Sequence, residues 1–235
     1  MNEFKKQFDG FDKESSVVLI LSTLLMVLFA YQGNPDFFYK NFSFLIKGDK
    51  DFYGQLYRFL FSFVFFFTIP VLTIKLILKK NLKDYGLRLG DKKFGLYFVL
   101  ISFLVLPLPL YLNSFDSSFL KEYPLWKNSG SSINNFLLWL FLYLFYYIGW
   151  EFFFRGFIQF SLIGKIPPFF IIMLQTIPST IIHIGKPEGE TLSAIVAGII
   201  FGAIALRTNS IFYPFLVHWY LGSLNELFCF FHRLQ

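Results

Sequence analysis

The chain has 235 residues, of which 55% are hydrophobic, 23% aromatic and only 15% charged, with a net charge of +6. A soluble domain carries about 25% charged residues, so this composition excludes an ordinary soluble enzyme. It points instead to an all-α fold, a polytopic transmembrane bundle of about seven to eight helices.

Residues 1–14 mix acidic and basic groups, and no small-x-small cleavage site follows the first apolar run. That run is therefore expected to be a retained membrane helix and not a secretory signal peptide. Spans are predicted at about 15–31, 56–78, 94–113, 133–160, 168–184, 191–207 and 210–231. The fourth is too long for one straight crossing, and Gly149 and Gly156 are the expected points of bending or exit. Residues 1–82 read as N-terminal helices with a basic loop, and 83–231 as the core, within one membrane domain.

Segment 75–93 carries seven basic residues: Lys75, Lys79, Lys80, Lys83, Arg88, Lys92 and Lys93. Segment 114–132 carries only Lys121 and Lys127. The positive-inside bias puts 75–93 and the N-terminus in the cytoplasm, for a protein of an inner or plasma membrane. It puts 114–132 outside, where its Ser, Asn and Gly content predicts an ordinary exposed loop. Because the basic residues fall between apolar runs, no nucleic-acid partner is expected; the partners expected are membrane lipid and a peptide or protein substrate. The single cysteine, Cys229, rules out an internal disulfide and a cysteine-based metal site, and its Phe-rich setting predicts a buried core residue.

Ionisable side chains inside apolar segments are costly and usually face the protein interior. Glu151 and Arg155 are such residues, four apart and so on one helix face. Their alternative role is an ion pair that only fixes packing. His183 precedes a polar turn, Gly185-Lys186-Pro187-Glu188-Gly189-Glu190, whose acids are either a solvated loop or, for Glu190, a helix cap. His218 and Asn225 are seven apart on nearly one face, able to bind water, polarise a carbonyl or ligate a metal, or simply to bond between helices. His232, beside Arg233, reads as an interfacial tail residue. A carboxylate, two histidines and an amide are the raw material of acid–base or zinc chemistry. The HExxH, GxSxG and P-loop signatures are absent, which argues against a serine hydrolase or a nucleotide-driven pump.

In this order, Trp150-Glu151-Phe152-Phe153-Phe154-Arg155-Gly156, His183 and His218 resemble the CPBP intramembrane proteases, the CAAX prenyl endopeptidases and their bacteriocin-processing Abi relatives. Lys83-Asp84-Tyr85-Gly86-Leu87-Arg88-Leu89-Gly90 resembles the basic linker before the core of these proteins, and the resemblance covers about 83–231. It implies an intramembrane endopeptidase that activates water with Glu and His, or a zinc metalloprotease with His183, His218 and Glu151 as ligands. The implied catalytic set is Glu151, Arg155, His183, His218, Asn225 and Glu190. Two departures stand out. Trp150 occupies the place of the family's first glutamate, the implied water-activating base. Gly222 occupies the place of an asparagine, for which Asn225 is the geometric substitute. A subgroup with Trp-Glu-Phe-Phe-Phe-Arg-Gly and His-x-Gly-Lys-Pro is also similar, and there Glu190 is the candidate active-site acid. The alternative is a proteolytically inactive scaffold or chaperone of the same fold.

Overall fold

The computed structural model describes residues 12–233, so part of the mixed-charge segment 1–14 lies outside the described residues. The fold is all-α, and among the described residues the sole β-type pairing is an isolated bridge between Ile184 and Lys186. Among the described residues, five helices are long and apolar enough to cross a membrane.

Helix α1, Lys13–Gln32, starts where the Asp12 side chain accepts the Ser15 N–H at 3.1 Å, satisfying one of the free donors of the first turn. A short α2, Pro35–Asn41, follows. Helix α3, Lys50–Leu78, is capped by Asp49. Pro70 lies in its middle, flanked by π-helical stretches at Val64–Thr68 and Thr73–Leu78. The proline lacks an N–H for the helical ladder, and the widened turns accommodate it.

Helix α4, Lys92–Asn113, is interrupted at Leu106 ahead of Pro107. The linker before it is clasped against the turn at 208–211. Asp91 N–H donates to the Thr208 carbonyl at 2.9 Å, Ile211 N–H to Gly86 at 3.1 Å, and the Tyr213 hydroxyl to Leu89 at 2.6 Å. Gly90 is required here: its φ is +51°, and a Cβ would lie 1.8 Å from the Thr208 oxygen.

Helix α5, Ser117–Glu122, belongs to segment 114–132, which corrects the expectation of an ordinary exposed loop. Tyr123, Leu125 and Trp126 are buried. The Leu125 N–H donates to Glu226 at 3.1 Å, and the Trp126 indole to Asp49 at 2.8 Å. A polar composition signals solvent, but the aromatic residues within the segment fold it down as a cap over one end of the bundle.

Helix α6, Ile133–Ile158, is the centre of the molecule, with 44% of its most apolar stretch buried against 22–28% in the other four spanning helices. It runs on through Gly149 and Gly156 without a break in the helix. Gly149 instead permits close approach to α3, where a Cβ would meet the Ser62 carbonyl at 3.1 Å. From Phe152 to Ile158 the helix widens into π geometry, and every residue there is buried. Phe66 of α3 stacks on Phe153 at 4.4 Å in this aromatic core.

Helix α7, Pro168–Ile181, has 14 residues. Helix α8, Glu188–Thr208, and helix α9, Phe212–Arg233, complete the bundle. The start of α1, the end of α3, the turn after α6 and the α8–α9 turn share one end, rich in Lys and Arg. The cap and residues 182–190 form the other.

Candidate active site

Glu151 and Arg155 are the most deeply buried charges of α6, at 0% and 2% exposure. Arg155 Nη1 donates to Glu151 Oε1 at 3.2 Å. The same oxygen meets His218 Nδ1 of α9 at 2.5 Å. A carboxylate partner places the proton on Nδ1, so His218 keeps an Nε2 lone pair. His183 is oriented by its own chain: Nδ1 donates to the Ser179 carbonyl at 2.7 Å, again leaving Nε2 as an acceptor.

Helix α7 is short, and its end lies beside α6. Fourteen residues rise about 21 Å, short of the ~30 Å hydrocarbon layer. The helix therefore stops partway and brings His183 to the level of Trp150, with ring centroids 5.4 Å apart and edge to face.

A cavity of about 230 Å³ lies between the helices, under the cap. Arg155, His183, Glu190, His218 and Asn225 line it, while Glu151 stands behind His218, off the cavity wall. The structure thus brings five of the six sequence-predicted residues onto one wall and places the sixth in contact with two of them. Glu190 lies in the first turn of α8. Its Oε1 accepts the Tyr123 hydroxyl at 2.8 Å, and its Oε2 is buried without a partner. Asn225 is buried, with Cys229 Sγ at 3.9 Å from its Oδ1, so the cysteine is core, as its surroundings suggested. His232 sits at the capped end against Ser114 Oγ at 2.7 Å, away from the site.

Among the described residues no three His, Cys, Asp or Glu side chains come together as a metal-binding group. Of the expected trio His183, His218 and Glu151, Glu151 Oε1 engages His218 Nδ1 and Arg155 Nη1 directly. Arg58, Tyr123, Tyr147 and Lys186 also line the cavity and were not among the predicted site residues. Arg58 carried a usable signal, being an ionisable residue within the predicted span 56–78. Lys186 pairs with Glu122 of the cap. The two tyrosines are indistinguishable by sequence from their many aromatic neighbours.

Residues 132–223 match the family described as type II CAAX prenyl endopeptidase, Rce1-like. Over these residues the chain is similar to that family. The match includes Glu151, Arg155, His183 and His218, the residues that meet across α6, the α7–α8 turn and α9. It starts after the Gly-Leu-Arg linker and stops before Asn225. No curated protein and no solved structure matches the chain. The Rce1-like family is one of proteases, and the apolar helices support an integral membrane protein.

Proposed function

We propose that the chain is an intramembrane endopeptidase that hydrolyses a peptide bond near the free C-terminus of a prenylated substrate. The observation that carries this reading is the 2.5 Å contact of His218 Nδ1 with the buried Glu151, made at the wall of a cavity that also holds His183, Glu190 and Asn225. The Rce1-like match and a cavity among apolar helices support this substrate class.

In this mechanism His218 is the general base. Its Nε2 takes a proton from water as the water oxygen bonds to the scissile carbonyl carbon and the carbonyl electron pair moves to oxygen. Glu151 holds the Nδ1–H tautomer and stabilises the imidazolium, the role of the carboxylate in an orienting dyad. On collapse the carbon–nitrogen bond breaks, and the imidazolium proton passes to the leaving amine. Asn225 is a donor for the developing oxyanion. His183 Nε2 accepts from the attacking water, and Glu190 accepts from the substrate backbone. Arg155 donates to Glu151 Oε1 and holds the carboxylate in place behind His218.

The test is cleavage of a fluorogenic prenylated peptide by the full chain in liposomes, compared with His218→Ala, His183→Ala and Glu190→Gln. Wild-type rates in all three variants would sink the proposal. The rival reading, a scaffold of this fold without proteolysis, rests on Trp150, whose indole fills the space beside His183. It expects no wild-type turnover, and a Glu151→Gln change that lowers folding yield.

A further inference from the structure

Gly222 lies one turn beyond His218 inside α9, where a glycine costs about 1 kcal/mol relative to alanine. A Cβ on Gly222 would fall 1.8 Å from the Tyr147 hydroxyl oxygen and 2.5 Å from its Cζ. The tip of the phenol therefore occupies the place that any side chain at position 222 would take. Tyr147 belongs to α6, one turn before Glu151, and is only 5% exposed. Its ring packs on the His218 imidazole at 4.5 Å between centroids. Tyr147, Gly222, His218 and Asn225 all line the same cavity.

The hydrogen bonds of the site run from Tyr123 to Glu190, and from Arg155 and His218 to Glu151. The Tyr147 hydroxyl lies outside that set, beside the Tyr143 hydroxyl, which donates to it. That leaves the Tyr147 proton itself to be donated, since a phenol is protonated at neutral pH. Space has been cleared for this one at the expense of helix propensity in α9, directly beside the proposed base.

We infer that Tyr147 is a catalytic residue, donating its phenolic hydrogen bond to the substrate carbonyl oxygen as that oxygen becomes an oxyanion. The inference rests on the endopeptidase reading. The hydroxyl remains protonated throughout, so it adds a donor beside Asn225 and leaves the proton route through His218 unchanged. A rigid donor set in place before reaction contributes to the transition state and little to ground-state binding.

The experiment uses the full chain in liposomes and a prenylated peptide with a free C-terminus. Tyr147→Phe keeps the ring against His218, so its thermal midpoint should match wild type. Its kcat should fall about 10²–10³-fold with KM little changed. In a second arm, 3,5-difluorotyrosine replaces Tyr147. This lowers the phenol pKa and should move the alkaline limb of kcat to lower pH, a shift that a space-filling role would not produce. Full kcat in Tyr147→Phe, or an alkaline limb that stays in place, overturns the assignment while leaving the endopeptidase reading intact. A wild-type chain that cleaves no prenylated peptide overturns that reading and the inference with it.

Discussion

Two clusters of charge in this bundle are built on opposite plans. At the basic end, Lys165 Nζ meets Asp12 at 2.7 Å, Glu14 at 2.8 Å and the Ser15 hydroxyl at 3.1 Å. Lys80 reaches Glu14 at 2.6 Å, and the Tyr85 hydroxyl donates to the same carboxylate. Each carboxylate there has several donors, and the cluster fastens α1 to the end of α3 and to the turn after α6. Around Glu151 the reverse holds. Glu151 Oε2 and Arg155 Nε are buried without partners, and one oxygen serves two cations or donors. Fully paired charges at a rim hold helices in register at little net gain. Buried, incompletely paired charges beside a cavity are expensive, and they mark where a ligand acts.

That contrast is most exposed to refutation by His218→Ala. Prenylated-peptide turnover should fall on the order of 10³-fold or more, as when one member of a coupled dyad is lost. Retained turnover would make the Glu151 cluster as structural as the one at the rim. Arg155→Ala should come next. It strands a buried carboxylate and should cost about 3–5 kcal/mol, read as thermal unfolding in detergent micelles. An unchanged midpoint would mean that Glu151 does not depend on its guanidinium.

Gly90→Ala probes the latch between the linker and the α8–α9 turn. The left-handed backbone and the Thr208 carbonyl both oppose a Cβ, so a loss of about 1–3 kcal/mol is expected in the same assay. Lys165→Ala should have the smallest effect, within about 1 kcal/mol at neutral pH. Its pH dependence is the sharper readout. The Lys165 ammonium, followed by the Ser15 side chain, holds the Asp12 carboxyl well below the usual carboxylate range. A carboxyl whose pKa is lowered by folding stabilises above its unfolded value and loses that contribution as pH falls. The gap in thermal midpoint between wild type and Lys165→Ala should therefore begin to close below about pH 4. A gap independent of pH would remove Asp12 from the rim cluster.

Most helices are legible in the sequence because an apolar run of spanning length has few other solutions. Asp12, Asp49 and Asp91 mark where α1, α3 and α4 begin. Segment 114–132 was misleading because Ser, Asn and Gly dominate its composition while three aromatic residues and Leu125 determine its packing. Charges in apolar surroundings exposed Glu151 and Arg155, and the same rule reaches Arg58. Tyr147 carries no such mark among 13 tyrosines and 36 phenylalanines.

The sequence by itself determined that this is a membrane bundle, which of its ends is basic, and which titratable residues are too costly to be incidental. Those are consequences of transfer free energy, which is read residue by residue. Only the tertiary structure decided that Glu151 stands behind His218, that a short α7 raises His183 to Trp150, and that Tyr147 fills the gap at Gly222. Depth and contact between helices depend on lengths, close approaches and volumes summed across several segments, and no single stretch of the chain contains them.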